Sequence, residues 1–115
     1  MENAKVVLIE NEPFIFALAQ EAIIESGHSI AGYALDYLAA LLVVHETEAD
    51  VYVVDANLTE GQNDGTEGEK LAAIIRSSHP EARIVSFSSN GQIPGSTDPF
   101  PKDEVIDLGS FITSL

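Results

Sequence analysis

The stretch "VYVVDANL", residues 51–58, carries the clearest indication of the fold. Its first four residues have the composition of a strand that is buried on both faces of a parallel sheet. The strand runs directly into a carboxylate, Asp55, and two positions later into an amide, Asn57. A buried strand that ends on polar groups indicates either an ordinary strand terminus or a binding site at the edge of a sheet.

Short apolar runs of the same kind alternate with helical patterns along the rest of the chain. The helical pattern that begins at Asn11, predicted as the N-cap, ends at Gly27, and a second helix begins after Asp36. The apolar run of this second segment is long enough that a strand is the alternative. The predicted strands are 5–9, 28–34, 50–54 and 83–87, and the predicted helices are 11–27, 36–46, 66–78 and a closing helix over 102–115.

This alternation predicts an α/β fold, a doubly wound parallel sheet with helices on both faces. Right-handed crossovers place the carboxyl ends of all the strands at one edge of such a sheet. With 115 residues and 45% apolar content, the chain is expected to form one domain over residues 1–115.

Composition narrows the functions. The formal charge of −14 repels phosphate backbones, so no nucleic-acid binding is expected. The chain has no cysteine and therefore no disulfide or thiolate metal site. The apolar run "LAALLVV", residues 38–44, is too short to span a bilayer, and the N-terminus does not resemble a signal peptide. We therefore expect a cytoplasmic protein with no membrane partner.

Polar side chains follow three of the predicted strands. If these strands are neighbours, their carboxylates and amides form an oxygen-rich cluster suited to Mg²⁺, with hydroxyls beside it for an oxyanion and Lys102 as a candidate cation. Such a set describes an aspartyl-phosphate site. The residues are Glu10, Asn11 and Glu12 after the first strand, Asp55 and Asn57 after the third, and Ser86, Ser88 and Ser89 at the fourth.

With these polar residues after its strands, the chain resembles the receiver domains of two-component response regulators. The segments "KVVLIENEPFI", "ADVYVVDANL" and "LAAIIRSSHPEARIVSFSS", with the turn at Gly27, match that family's pattern in order and interval over roughly residues 5–90. The resemblance implies a flavodoxin-like (βα)5 fold with strand order 2-1-3-4-5. It also implies that the domain takes a phosphoryl group from a histidine kinase or a phosphotransfer protein.

Carried over by position, the resemblance assigns a Mg²⁺ site. Glu10 and Asn11 occupy the positions of the family's acidic pair, Asp55 is a further ligand, and Asn57 resembles the residue whose backbone carbonyl binds the metal. Asn11 departs from the family, which usually has an aspartate there. A neutral amide in place of a carboxylate is expected to weaken Mg²⁺ binding.

The resemblance also assigns the phosphoryl site. Asp55 resembles the phosphoacceptor, Ser88 the switch hydroxyl, and Lys102 the lysine after the fifth strand. The family's Lys-Pro pair is absent, since Pro101 precedes Lys102. The segment "NGQIPGSTDPFPK", residues 90–102, is short and rich in glycine and proline, so the fourth helix is expected to be reduced or absent.

Two functions follow from these residues. The first is a stand-alone receiver that is phosphorylated on Asp55 and acts through a downstream protein partner. Such a receiver is not an enzyme, apart from catalysing its own phosphorylation and dephosphorylation. The second is a pseudo-receiver, an interaction module in which phosphorylation is weak or lost, and Asn11 and the altered 90–102 segment favour it. A Mg²⁺-dependent phosphatase is a third class, but Asn57 stands where its second acid is needed.

Overall fold

Five strands, all parallel, form one sheet in the computed structural model, which describes residues 1–61, 63–89 and 91–115. The order along the sheet is second, first, third, fourth and fifth strand, which confirms the predicted order 2-1-3-4-5. The strands are β1 (Lys5–Ile9), β2 (Ser29–Ala34), β3 (Val51–Asp55), β4 (Arg83–Ser88) and β5 (Asp98–Pro101).

Within the described residues, four α-helices cover the two faces of the sheet, so the doubly wound arrangement is confirmed. The segment 36–46, which allowed either a helix or a strand, is helical, and Asp36 caps it by accepting a hydrogen bond from the Ala39 amide at 2.8 Å. The helices are α1 (Pro13–Glu25), α2 (Tyr37–Glu46), α3 (Thr66–Ser78) and α4 (Leu108–Ser114), and a 3₁₀ segment (Lys102–Asp107) precedes α4. No helix of the described residues has the length and apolarity needed to cross a membrane.

The strands are buried on both faces because successive side chains enter two separate cores. One core lies between the sheet and the pair α1 and α4, and the other between the sheet and the pair α2 and α3. Residues that alternate along β3 show the division: Val51 and Val53 enter the first core, whereas Tyr52 and Val54 enter the second. The two cores pack on opposite faces of the sheet and thereby fix the positions of the strands and of the residues at their carboxyl ends.

The start of α1 differs from the prediction. Glu12, and not Asn11, occupies the N-cap position, and its side chain makes no capping hydrogen bond. Pro13 fixes the first helical position, where its missing amide costs nothing. The backbone amide of Glu12 instead donates to Glu10 Oε2 at 2.9 Å. This hydrogen bond holds the bend at Asn11, and its acceptor Glu10 is the first residue after β1.

The closing segment also differs from the prediction of one continuous helix. Glu104 has non-helical backbone angles, φ −100° and ψ 27°, and the chain turns there from the 3₁₀ segment toward α4. The helical spacing of Val105, Leu108, Ile112 and Leu115 predicts one apolar stripe, of which the first three are buried and Leu115 is partly buried. Gly109 lies so close to α1 that a Cβ atom would collide with the Ala22 carbonyl oxygen.

The connection between β4 and β5 contains no helix within the described residues, in agreement with the expected loss of the fourth helix. Asn90, the first residue of the altered segment, lies outside the described residues. Side chains hold the rest of the connection against the sheet: Ser86 Oγ accepts from the Ile93 amide at 2.8 Å, and Ile93 itself is buried. Thr97 Oγ1 accepts from the Ile84 amide at 2.8 Å and thereby positions the start of β5.

Candidate functional site

The carboxyl edge of the sheet brings together four of the side chains that the sequence singled out. Glu10 follows β1 and is fully buried, and Asp55 is the last residue of β3 and is 3% exposed. Ser88 is the last residue of β4 and pairs in register with Pro101 of β5. Lys102 comes directly after Pro101, so the strand ends bring these four residues to the same edge of the sheet.

Lys102 connects the two carboxylates. Its Nζ atom lies 2.9 Å from Glu10 Oε1 and 3.0 Å from Asp55 Oδ1. The same ammonium lies 5.6 Å from the centroid of the Phe87 ring, within cation–π range. The sequence identified Lys102 only by its place after the fifth strand, and the structure places its charge in contact with both buried acids.

Burial and the charges of the neighbouring side chains shift the pKa values of Glu10 and Lys102. Burial, followed by the neighbouring Asp55, raises the pKa of Glu10 to about 7, although Lys102 acts in the opposite direction. Burial alone would lower the pKa of Lys102, but Asp55 and Glu10 raise it above its ordinary value. Lys102 therefore stays protonated in this site. Its single positive charge lies in contact with both buried carboxylates.

Two buried carboxylate oxygens accept no hydrogen bond from the described residues: Glu10 Oε1 and Asp55 Oδ2. Glu10 Oε1 lies 2.9 Å from the ammonium of Lys102, whereas Asp55 Oδ2 has no such charge contact among the described residues. Buried carboxylate oxygens without donors fit a hard divalent cation that takes oxygen ligands, such as Mg²⁺. The described residues contain no cluster of three or more His, Cys, Asp or Glu, so any metal here depends on neutral oxygens and water as well.

The two asparagines have different surroundings. Asn57 lies in the loop after β3, where its Oδ1 atom accepts from the Gly65 amide at 2.8 Å. The backbone N–H of Asn57 donates to Asp55 Oδ1 at 3.3 Å, which ties the loop to the carboxylate. Asn11 is partly exposed in the bend that follows Glu10. Its place next to Glu10 is compatible with the predicted metal ligation, which stays a prediction.

Two residues of α3 that the sequence reasoning did not single out position the loop after β3. The carboxylate of Glu67 accepts from the amides of Leu58 and Thr59 at 2.8 and 2.9 Å, and from the Thr59 hydroxyl at 2.6 Å. Gly68 lies against the backbone, because a Cβ atom there would come within 2.7 Å of Ala56 Cα. An acid in the first turn of a helix usually indicates only a dipole interaction, so this contact has no distinct sequence signal.

The other two serines named from the sequence, Ser86 and Ser89, make no described contact with Glu10, Asp55 or Lys102. The hydroxyl of Ser86 is used to hold the amide of Ile93. Ser89 is exposed beyond the end of β4. Ser88 ends β4 opposite Pro101, and its predicted role as the switch hydroxyl stays a prediction.

Comparison with known proteins gives matches among solved structures. No protein-family model and no curated protein sequence matches the chain. The signal receiver domain of the response regulator NarL from Mycobacterium tuberculosis is 21% identical, with a TM-score of 0.78 over 99% of this chain and 96% of that one. The response regulator TrrA from Thermotoga maritima, solved in complex with Mg²⁺ and BeF, is 18% identical, with a TM-score of 0.78 over 99% of this chain and 98% of that one.

A third similar structure is a CheY-like response regulator receiver domain protein from Methanospirillum hungatei. It is 12% identical, with a TM-score of 0.78 over 96% of this chain and 90% of that one. At these identities the likeness is one of fold.

Proposed function

We propose that this chain, which has the fold of response-regulator receiver domains, accepts a phosphoryl group on Asp55 in two-component signal transduction. The donor would be a histidine kinase or a phosphotransfer protein. The observation that carries the proposal is the contact of Asp55 with Lys102, at 3.0 Å, at the buried carboxyl edge of β3. A structural ion pair needs only one carboxylate, whereas this lysine serves two acids, one of which keeps an oxygen without a donor.

The chemistry assigns one role to each side chain. A carboxylate oxygen of Asp55 forms a bond to phosphorus while the bond between phosphorus and the donor's histidine nitrogen breaks, and the imidazole leaves. The ammonium of Lys102 neutralises charge on the phosphoryl oxygens. The hydroxyl of Ser88 would donate a hydrogen bond to one of them. In this proposal the domain is a phosphoacceptor and not an enzyme that turns over a separate substrate.

The proposal includes Mg²⁺ at the same edge. Glu10, Asn11, Asp55 and the backbone carbonyl of Asn57 would hold the ion, which, when bound, would supply positive charge to offset the negative charge of the phosphoryl group. Asp55 fits this role because its buried Oδ2 atom has no hydrogen-bond donor among the described residues, and Glu10 brings a second buried carboxylate to the same place.

A pseudo-receiver is the second candidate, and two observations favour it. Asn11 replaces a charged metal ligand, and the connection between β4 and β5 has no helix in its described part. In this case the fold would serve as a binding surface, and the pair formed by Lys102 with Asp55 would be structural.

Intact-mass measurement after incubation with acetyl phosphate, with and without Mg²⁺, separates the two candidates. The phosphoacceptor proposal predicts that the mass of the wild-type chain increases by one phosphoryl group only when Mg²⁺ is present. It predicts no mass increase for Asp55→Asn. Asp64→Asn is the matched control, because this exposed acid lies in the loop after β3 and should leave the mass gain unchanged. No mass gain in the wild-type chain at any Mg²⁺ concentration would favour the pseudo-receiver.

A further inference from the structure

Helix α2 presents apolar side chains to solvent. Leu38 is 74% exposed and Leu42 is 61% exposed, and the four-residue spacing places them on one face of the helix. Leu35, just before the N-cap Asp36, is also exposed, and Leu41 is half-buried between this face and the core. We call Leu35, Leu38 and Leu42 the α2 patch.

The composition of α2 is unusual for a surface helix. Between Asp36 and His45 it has no charged residue, whereas a surface helix normally carries charged side chains on its outer face. α3 has that ordinary pattern, with Glu67, Glu69 and Arg76 among its residues. Packing against α3 and β2 explains the buried Ala40 and Val44 but leaves the two exposed leucines unexplained.

The charges around the α2 patch have one sign. No lysine or arginine occurs between Lys5 and Lys70, so α1, β2 and α2 contribute no basic side chain other than histidine. Exposed acids stand at both ends of the helix, Asp36 at the start and Glu46 at the end, and Glu48 follows. An apolar stripe between acidic ends is complementary to a partner that combines apolar and basic side chains.

These observations lead us to infer that the α2 patch binds a basic amphipathic helix of a partner protein. The partner's apolar residues, spaced at i, i+3, i+4 and i+7, would pack on Leu38 and Leu42, and its lysines or arginines would reach Asp36 and Glu46. A second copy of this chain is the less suitable occupant, because two chains of charge −14 would meet through faces that carry no cation.

This inference does not rest on phosphorylation. The α2 patch lies on the face of the sheet covered by α2 and α3, and neither Leu38 nor Leu42 belongs to the carboxyl-edge site. An Asp55→Asn variant should therefore bind the same helix as the wild-type chain, so failure of the phosphoacceptor proposal leaves this one standing.

The test uses the isotope-labelled full chain and a synthetic helical peptide with leucines at the spacing above and arginines on its remaining surface. Amide chemical-shift changes should centre on α2. An otherwise identical peptide with glutamates in place of the arginines should bind at least about tenfold more weakly, a difference of about 1.4 kcal/mol. Binding of the basic peptide should weaken as salt is raised.

Substitutions identify the surface. Leu38→Gln and Leu42→Gln, made singly and together, should weaken binding of the basic peptide at least about tenfold in the double variant. Ile106→Gln is the matched control, because this residue is 80% exposed on the opposite face of the sheet. The shift map of the wild-type chain stands as an independent result if the double variant does not fold.

Three outcomes of the peptide experiments would overturn the inference. They are equal affinity for the basic and acidic peptides, shift changes that centre away from α2, and affinity that survives both leucine substitutions. Sedimentation that shows a dimer of the wild-type chain, lost in Leu42→Gln, would also overturn it, since a second copy would then be the occupant.

Discussion

Lys102 is the residue on which the candidate site depends. One ammonium holds two buried carboxylates, and the site has no other cation within contact distance among the described residues. The resemblance to receiver domains was enough to nominate Lys102, because it is the only basic residue after Arg83. Its contacts were not predictable, since the family's Lys-Pro order is reversed here.

Replacing Lys102 should reveal this dependence. Lys102→Met leaves Glu10 and Asp55 buried without their cation, and in metal-free buffer the free energy of unfolding should fall by about 2 kcal/mol. The loss is kept below the full cost of an unpaired buried charge because Glu10, with a pKa of about 7, can take up a proton. Urea denaturation in EDTA measures it, and Mg²⁺ should restore part of the stability.

The matched control is Lys70→Met, an exposed lysine of α3 whose removal should change stability by less than about 0.5 kcal/mol. Equal stability of the Lys102→Met and wild-type chains in EDTA would mean that the contacts of Lys102 with the two acids contribute little.

Asn11 decides how strongly the site holds a divalent cation. Asn11→Asp should tighten Mg²⁺ binding by about tenfold, because a charged oxygen replaces a neutral one beside Glu10. Isothermal titration with MgCl₂ measures the change, and Asn63→Asp, which adds the same charge at an exposed loop position, is the control. An unchanged Mg²⁺ affinity in Asn11→Asp would remove Asn11 from the metal site.

At the scale of the elements, the sequence predicted most helix and strand bounds to within one residue but not the close contacts between the elements. α3 was predicted at 66–78 and begins and ends at those residues, because its apolar positions follow a clear helical period. The start of α1 was misplaced because Asn11 has the residue type of an N-cap, whereas the bend is formed by Glu12 and Glu10. The kink at Glu104 had no sequence signal.

The contact between α1 and α4 depends on Gly109. Gly109→Ala should lower the free energy of unfolding by about 2 kcal/mol, because overpacking against the Ala22 carbonyl and Ser26 outweighs the roughly 1 kcal/mol that alanine gains as a helix former. Ser110→Ala, at the neighbouring exposed position of α4, is the control and should be neutral. Thermal or urea unfolding measures both variants, and a stabilised Gly109→Ala chain would contradict the described packing.

The start of β5 is held by an ion pair that predicts a pH dependence. Arg83 donates two hydrogen bonds to Asp98, at 2.9 and 2.7 Å, and these hold the pKa of Asp98 below its ordinary value. A lowered folded-state pKa stabilises the fold above the unfolded pKa of 3.8, and this stabilisation is lost as pH falls through the folded value. Since the Arg83 side chain is 41% exposed, the pair should contribute only roughly 0.5–1 kcal/mol.

Asp98→Asn tests this dependence. Relative to wild type, the variant should lose stability at about pH 6, and the difference should shrink as the pH approaches 3. Asp103→Asn, at an exposed position after β5, serves as the control. A stability difference that stays constant across this range would show that the charge of Asp98 is not responsible.

At the scale of the whole molecule, the alternation of buried strands with helices was sufficient to predict a parallel sheet covered on both faces, because parallel crossovers leave few arrangements. The order of the strands, which the structure confirms, was predicted from the resemblance to receiver domains. The position of Asp55 followed from the same pattern, since a buried strand that ends on a carboxylate places it at the carboxyl edge. The role of Glu67 could not be predicted, because it depends on how the loop after β3 folds back onto α3.

The altered connection between β4 and β5 limits how this molecule would transmit phosphorylation. A packed helix that shifts between two positions is one way to couple a site to a surface, and the described part of this connection has none. Binding at the α2 patch would not need such a shift. We therefore expect phosphorylation of Asp55 and binding at α2 to be only weakly coupled.

The most direct test of the central proposal, that Asp55 is the phosphoacceptor, is to locate the modified residue. After incubation with acetyl phosphate and Mg²⁺, the chain would be reduced with borohydride, which traps an aspartyl phosphate as homoserine, and its peptides would be sequenced by mass spectrometry. We predict homoserine at position 55 alone, and only when Mg²⁺ is present. Modification at another carboxylate, or an unmodified Asp55 in a folded chain saturated with Mg²⁺, would contradict the proposal.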